Sequence, residues 1–388
     1  MKKVLLFVPL TLMLLALVFF LLVPPLVERT LNRNPGEGAA PQLNAEARRL
    51  HASLRIVDLH ADSLLWGRNL LERGTRGVVD VPRMIEGNVA LEVFTAVTKT
   101  PRGLNYERND ANSDTIIWLA FAQRWPPRTW NSLTARALYL AGSFQKTAAA
   151  SGGRLVPIRT AGDLKDYLER REHDSNVTAG LLGIEGAHAL DGKIENLDRL
   201  FDAGYRYISP THFFDDEFAG SSAGVNKGGL TPLGLRLVQR MNEKRVIIDL
   251  AHASPQTIRD ILAATRRPVI FSHGGLRGNC NNQRNLSDEE ARNIAQTGGI
   301  IGIGFWEAAV CGNDVHAITR AMRYAVDLVG LQHVALGSDF DGAVRTPFDA
   351  AHLAVLTGAM LHDGFQPDEI RAIMGENALR FLLANLPE

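Results

Sequence analysis

The sequence predicts an α/β protein, a (β/α)8 TIM-like barrel with an N-terminal transmembrane helix. The chain of 388 residues is long enough for one large domain and an extension. Short apolar, β-branched runs alternate with helical stretches, which is typical of parallel α/β architecture. No low-complexity break follows residue 46. We therefore predict a signal anchor or transmembrane helix (1–27), a linker (28–45) and a barrel domain (46–388).

The composition excludes several classes of protein. Lysine plus arginine and aspartate plus glutamate both number 42, and no basic stripe occurs, so the chain has no charge that would attract nucleic acid. The two cysteines, Cys280 and Cys311, lack CxxC spacing and fit neither a disulfide scaffold nor a cysteine-ligated zinc site. A single bridge between them requires an extracytoplasmic domain, and the sequence leaves that pairing open.

The N-terminus is an almost unbroken apolar run over residues 4–27. A membrane-spanning helix needs roughly 20 apolar residues, whereas the core of a signal peptide has about 7–15. No small-x-small cleavage site follows, so an uncleaved anchor is favoured over a cleaved signal. Lys2 and Lys3 would remain cytoplasmic, although Arg29 and Arg33 lie on the other flank. We expect a single-pass membrane protein whose catalytic domain is periplasmic or extracellular.

Eight apolar runs are predicted to be the barrel strands. They are residues 54–59, 90–97, 181–184, 205–209, 246–250, 269–272, 299–305 and 334–337. The helices predicted between them are residues 161–171, 232–244, 255–264 and 317–328. The region 98–157 is interpreted as a mostly helical crossover. Eight such strands would close a barrel whose active site lies at their C-terminal ends.

The first strand leads into the pattern Asp58, His60 and Asp62. Alternate residues of a strand share a face, so these three side chains would lie together. One imidazole and one carboxylate at a strand end, with another carboxylate behind, suit a divalent metal ion. The alternative is a buried strand that ends in a polar turn.

Polar residues follow other predicted strands as well. Of eleven histidines, four directly follow apolar runs, and three acidic residues occupy matching positions: His60, His212, His252, His273, Asp62, Glu185 and Asp339. Each histidine by itself is more typical of a hydrogen-bonded structural residue. Packing does not readily explain the whole set at the same end of different strands, so a metal centre is predicted there.

Two metal ions about 3.5–4 Å apart call for a bridging carboxylate with neutral and anionic ligands. The ligands would be His60 and Asp62 on one ion, His252 and His273 on the other, and Glu185 across both. Nitrogen and oxygen donors without sulfur suit zinc, with manganese or cobalt as alternatives. A water that bridges two such ions loses a proton near neutral pH and becomes the nucleophile. His212 and Asp339 then remain for oxyanion stabilisation and proton transfer.

Six short motifs carry a family resemblance. They are His-Ala-Asp at 60–62, Gly-Ile-Glu-Gly-Ala-His at 183–188, Ser-Pro-Thr-His at 209–212, Asp-Leu-Ala-His at 249–252, Phe-Ser-His at 271–273 and Gly-Ser-Asp-Phe-Asp-Gly at 337–342. In this order they resemble the membrane (renal-type) dipeptidase family, zinc metallopeptidases with an amidohydrolase-like barrel. The resemblance extends from about Arg55 to Leu382 and includes a closing Gly-Glu-Asn-Ala-Leu-Arg at 375–380.

The resemblance implies two zinc ions per chain, held by the five ligands above. It implies that His212 contacts the scissile carbonyl and steadies the tetrahedral oxyanion. Arg284 would clamp the C-terminal carboxylate of a dipeptide, and Asp339 would relay a proton to the leaving amine. Without the resemblance, Arg284 is an ordinary loop arginine and Asp339 belongs to a turn. Asp58 and His188 would support the ligands without binding metal.

The expected function is hydrolysis of dipeptides with a free C-terminal carboxylate, including L,D-dipeptides. The stretches 211–218 and 273–276 depart from the mammalian members, so side-chain specificity stays open. The C-terminus carries no hydrophobic tail for a lipid anchor, and the N-terminal helix would replace it. The resemblance also suggests a homodimer. The alternatives are another two-metal hydrolase, acting on a cyclic amide, lactone or phosphoester, and a non-catalytic barrel protein.

Overall fold

The computed structural model describes residues 2–32 and 43–388. Within these ranges the strands have two to nine residues and are almost entirely buried. They are β1 (Ile56–Ala61), β2 (Val89–Val97), β3 (Leu155–Ile158), β4 (Thr178–Glu185), β5 (Tyr205–Ile208), β6 (Ile247–Ile248), β7 (Ile270–Phe271), β8 (Ile300–Ile303) and β9 (Val334–Leu336).

Helices surround the strands. They are α1 (Lys2–Leu31), α2 (Ala45–Ala52), α3 (Val81–Glu86), α4 (Ile116–Ala122), α5 (Leu133–Ala150), α6 (Ala161–His173), α7 (Asn196–Ala203), α8 (Pro232–Lys244), α9 (Pro255–Ala264), α10 (Asp288–Gln296), α11 (Glu307–Val310), α12 (Val315–Val329), α13 (Ala354–His362), α14 (Pro367–Arg371) and α15 (Asn377–Asn385). The four predicted helices correspond to α6, α8, α9 and α12. The start of α8 follows from its sequence, because the Thr231 hydroxyl accepts a hydrogen bond from the Gly234 amide and Pro232 begins the first turn.

Eight strands form a nearly closed parallel barrel, in the order β6-β5-β4-β2-β1-β9-β8-β7. The predicted fold class is therefore confirmed. Between β6 and β7 a single bridge joins Asp249 to Ile270, with the Leu250 amide donating to the Ile270 carbonyl at 2.7 Å. The Asp249 carboxylate accepts hydrogen bonds from the amide and hydroxyl of Ser272, at 2.8 and 2.7 Å. We call this junction the β6–β7 seam.

The eight-strand prediction omitted β3. This strand pairs with Thr178–Leu181 of β4, while Leu182–Ile184 of β4 pair with β5. It therefore extends the sheet beside the barrel instead of joining it. Its four residues include Pro157, and the middle two are only half-buried, so the strand lacks the apolar run that marks the others. The preceding part of the region 98–157 contains α4 and α5, as the helical interpretation predicted.

The C-terminal helix lies at the amino ends of the strands. The side-chain amide of Asn377 donates to the carbonyls of Leu331 and Val334, where β9 begins. Leu379 and Leu382 join the same hydrophobic cluster as Leu59 of β1 and other strand residues. This end of the barrel is therefore filled by apolar packing, which leaves the carboxyl ends of the strands for polar groups.

Helix α1 continues beyond the predicted boundary at residue 27. It ends at Leu31, and Met13–Leu31 is long and apolar enough to cross a membrane by length and composition. Residues 33–42 of the predicted linker lie outside the described residues. The last turn of α1 packs against the barrel domain, because Glu28 and Asn32 are both buried.

Candidate metal centre

The structure gathers the predicted polar residues at the carboxyl ends of the strands. His60 belongs to β1, Glu185 ends β4, and the others follow β1, β5, β6, β7 and β9: Asp62, His212, His252, His273 and Asp339. All seven side chains are buried. The expected clustering of strand ends is therefore present in the fold.

Glu185 lies at the centre of the cluster. Its Oε1 is 3.0 Å from Nε2 of His252, 3.3 Å from Nε2 of His273 and 3.5 Å from Nε2 of His60. Its Oε2 is 3.0 Å from Nε2 of His212. One carboxylate thus faces imidazoles from four different strands.

Three overlapping groups of donor atoms could each hold a metal ion, with their atoms within 4.8 Å of one another. The groups are His60, Glu185 and His273; Glu185, His212 and His252; and His60, Asp62 and Asp339. The five predicted ligands are brought together, and their division between two ions stays a prediction. His273 shares a group with His60, and its Nε2 lies 3.2 Å from Nε2 of His252. His212 shares a group with His252.

Neighbouring side chains orient the imidazoles. Nδ1 of His60 is 3.1 Å from the Tyr207 hydroxyl, which itself donates to the Leu59 carbonyl. Nδ1 of His273 is 2.8 Å from the Ser272 hydroxyl, which donates to Asp249. Because these hydroxyl oxygens accept hydrogen bonds, the ring proton of His60 and of His273 lies on Nδ1. The lone pair on Nε2 then points toward Glu185, as a metal-binding histidine requires. The donor set therefore fits divalent metal ions.

The pKa values follow from burial and from the crowded charges. Burial and the nearby Arg284 guanidinium hold the pKa of His252 well below its usual range, so its imidazole is neutral. Burial would also lower the pKa of His60, but the carboxylates of Glu185 and Asp62 outweigh it and raise that pKa to about 10. A cation is thus favoured beside His60, and a bound metal ion would take the place of the imidazolium proton.

Asp58 does not join the cluster. Between the pairs Asp58–Glu92 and Ala61–Phe94, β1 contains one residue more than β2, so a bulge interrupts the strict alternation that predicted a shared face. The Asp58 carboxylate instead accepts a hydrogen bond of 2.8 Å from the Ser338 amide, directly before Asp339. The predicted supporting role of Asp58 agrees with this contact.

Two of the site residues have unusual backbone conformations. His252 and Asp339 have φ values of 63° and 60°, in the left-handed region that residues other than glycine rarely adopt. Such strain is often retained where a side chain must point in one direction. Gly186, directly after Glu185, has φ 91°, and a Cβ there would lie 2.2 Å from the His188 ring. These turns aim the side chains into the site.

Arg284 lies beside the cluster and is buried. Its Nη2 donates to the His273 carbonyl at 3.0 Å and is 3.3 Å from Nε2 of His252. Its Nε and Nη1 have no hydrogen-bond acceptor among the described residues. A buried guanidinium with two unused donors suits a carboxylate ligand. The surrounding loop is tied to the end of α11 by a disulfide between Cys280 and Cys311, the pairing that the sequence left open.

A cavity of about 570 Å³ covers the cluster. Its lining includes Glu185 and Arg284 and the apolar side chains of Val27, Leu31, Leu65, Leu104 and Leu119. Two aromatic residues of this cavity, Tyr106 and Trp306, were not predicted from the sequence. The indole N–H of Trp306 donates a hydrogen bond of 3.1 Å to the Tyr106 hydroxyl. Trp306 directly follows a predicted strand and could have been found from that position. Tyr106 lies in a loop without any such signal.

The chain folds as a parallel barrel with a buried cluster of histidines and carboxylates beneath a cavity of small-molecule size. This combination defines a metal-dependent hydrolase. The chain belongs to the membrane dipeptidase family (peptidase family M19), whose family model matches residues 44–385. It is accordingly a metallo-dipeptidase.

One relative and two solved structures are similar to this chain. The chain is 28% identical over 353 residues to the dipeptidase aclJ of Aspergillus oryzae, covering 84% of this chain and 77% of the relative. The fold resembles the probable dipeptidase PvdM of Pseudomonas aeruginosa, with a TM-score of 0.74, 18% identity and coverage of 88% and 97% of the two chains. It also resembles a metallopeptidase of Rhodobacter sphaeroides liganded with a phosphinate mimic of L-Ala-D-Ala, with a TM-score of 0.69, 23% identity and coverage of 86% and 99%.

Proposed function

We propose that this metallo-dipeptidase uses two zinc ions to hydrolyse dipeptides that have a free C-terminal carboxylate. The observation that carries the proposal is Glu185, whose two oxygens face four imidazoles. The proposed ligands are His60, Asp62, Glu185, His252 and His273. Their nitrogen and oxygen donors suit zinc, with manganese or cobalt as alternatives. When bound, the ions would acidify a bridging water as the nucleophile and polarise the scissile carbonyl.

The protein's own groups would manage charge and protons during the reaction. His212 lies against Glu185 in the cavity lining, where its imidazole can steady the oxyanion of the tetrahedral intermediate. Burial raises the pKa of Asp339 well above its usual range, and the nearby Asp62 and Glu185 carboxylates raise it further against the opposing effect of His60. A carboxyl group that keeps its proton in this way can pass it to the leaving amine.

Dipeptides with a D-residue at the C-terminus are proposed as part of the substrate range. The support is the Rhodobacter sphaeroides metallopeptidase of the same fold, whose ligand mimics L-Ala-D-Ala. Hydrolysis of L,L- and L,D-dipeptides by the metal-loaded full-length chain tests this range directly. Activity confined to cyclic amides, lactones or phosphoesters would instead favour the alternative two-metal hydrolase, and no hydrolysis after zinc addition would favour a non-catalytic barrel.

Replacing Arg284 by alanine tests the carboxylate clamp. We expect KM for a free dipeptide to rise roughly 10- to 100-fold, because a hydrogen-bonded charge contributes about 1.5–3 kcal/mol. The same variant should change KM little for the matching dipeptide C-terminal amide, which lacks the charge. Arg292→Ala on the exposed surface of α10 serves as the control. An unchanged KM for free dipeptides in the Arg284 variant would contradict the clamp.

We also propose that α1 is a single-pass anchor and that the barrel domain lies outside the cytoplasm. The apolar length of α1 and the two lysines before it support this topology. The Cys280–Cys311 disulfide adds support, because disulfides persist chiefly in oxidising compartments. The homodimer stays a prediction.

The topology predicts that the full-length protein sediments with membranes and that a protease added to intact spheroplasts or cells digests the barrel domain. The N-terminus of the mature chain should still include Lys2 and Lys3. A soluble mature chain that begins after Pro25, or a domain that is protected until the cells are lysed, would contradict the proposal.

A further inference from the structure

The second half of α1 packs on the barrel domain. Phe20, Glu28 and Asn32 all make contacts with it. The Phe20 ring is 5.5 Å from the Phe121 ring, and the Arg124 guanidinium lies 5.2 Å from Phe20. This part of α1 is therefore held against the barrel domain. We call residues 27–32 the helix foot.

The helix foot is held by a buried ionic network. Oε1 and Oε2 of Glu28 lie 2.7 Å from Nε of Arg68 and 3.2 Å from Nε of Arg76. Arg68 also pairs with Asp341, two residues after Asp339. In addition, the Asn32 side-chain carbonyl accepts a hydrogen bond of 2.8 Å from the Ala343 amide. The foot is thus fixed to the loop that carries the proposed proton donor.

This network also limits where the membrane can lie. A buried carboxyl group paired with two arginines belongs to the protein interior, and exposure of these groups to hydrocarbon would be costly. The part of α1 that crosses the bilayer must therefore precede the foot. Because Phe20 also packs on Phe121, we expect the crossing part among the apolar residues that precede it.

Two apolar residues of the foot face the substrate cavity. Val27 and Leu31 are one helical turn apart and line the cavity together with Leu65, Leu104 and Leu119. Their side chains remain 36% and 43% exposed although the neighbouring Glu28 is buried. Part of the apolar lining of the cavity therefore comes from the anchor helix.

We propose that Val27 and Leu31 form a specificity-determining wall that contacts a large apolar side chain of the dipeptide. The inference rests on the proposed dipeptide site, because Glu185 and Arg284 line the same cavity. The anchor helix thereby acts in substrate selection as well as in attachment. Dipeptides that contain leucine or phenylalanine are the substrate class that this wall favours.

The test compares the full-length zinc-loaded protein in detergent micelles with Leu31→Ala, Val27→Ala and the double variant. Leu22→Ala is the matched control, since Leu22 lies about two and a half turns before Leu31, on the opposite side of the helix. Each protein is assayed with alanyl-alanine and with dipeptides that carry leucine or phenylalanine at either position. Thermal melting checks that the variants fold equally well.

We expect each single variant to lower kcat/KM for the leucine or phenylalanine dipeptides about 5- to 10-fold, mainly through KM. The values for alanyl-alanine should stay within about twofold, and Leu22→Ala should leave both classes unchanged. Equal losses for both classes, or no loss in the double variant, would overturn the inference. A wild-type chain that cleaves no dipeptide would instead overturn the proposed function itself.

Discussion

Replacing Glu185 by glutamine should abolish dipeptide hydrolysis. We expect kcat/KM to fall at least ~1,000-fold, since a bridging metal site supplies several kcal/mol of transition-state stabilisation. The amide keeps the shape of the side chain but has no negative charge to share among His60, His252 and His273, whose Nε2 atoms lie within 3.5 Å of Oε1. Zinc per chain should fall together with activity. Atomic absorption on the dialysed protein and a dipeptide assay measure the two effects.

Glu92→Gln is the matched control for this variant. Glu92 is a fully buried glutamate on β2, outside the three donor groups of the metal centre. Its replacement should leave the zinc content unchanged, so it separates loss of a ligand from the general effect of replacing a buried carboxyl group. A Glu185→Gln protein that keeps two zinc ions and a tenth of the wild-type activity would be incompatible with the bridging role.

The second large effect is expected for Asp339→Asn. The amide cannot donate the carboxyl proton, so kcat should fall about 100- to 10,000-fold, while KM and zinc content change little. Steady-state kinetics and metal analysis on the same preparation give all three quantities. Normal kcat in this variant would exclude Asp339 as the proton donor.

The neighbouring Asp341 provides a contrast. Its carboxylate accepts hydrogen bonds from the Val78 amide and the Ser63 hydroxyl and pairs with Arg68, so it holds loops together. We expect Asp341→Asn to lower the free energy of unfolding by on the order of 3 kcal/mol, because it removes one partner of a buried ion pair. A large loss of kcat in that variant without a lower melting temperature would instead assign the proton to Asp341.

The core of the metal centre was predictable because parallel strands end together. An apolar run followed by His60, Glu185 or His273 is a local pattern, and the barrel brings such ends to one place. The division of ligands between two ions stays a prediction. It depends on the side-chain directions of His212 and His273 after their turns, and residue spacing does not contain that information.

Other features depend on contacts distant in sequence. The pairing of Cys280 with Cys311 needs two loops to meet, and β3 is recognised only from its hydrogen bonds to β4. The predicted linker began at Glu28, because an acidic side chain at the end of an apolar run is usually exposed to water. Its burial against Arg68 follows from how α1 packs on the barrel, and no local pattern contains that contact.

The β6–β7 seam lies between two of the proposed metal ligands. Few backbone hydrogen bonds cross it, and the Asp249 side chain closes much of the gap. His252 and His273 follow the two strands on either side, with their Nε2 atoms 3.2 Å apart. A metal ion bound by both histidines would therefore stabilise the closed barrel at this junction. Free metal at 1,000 times its dissociation constant adds about 4 kcal/mol to stability, so the zinc level of the compartment would help decide how long the barrel survives.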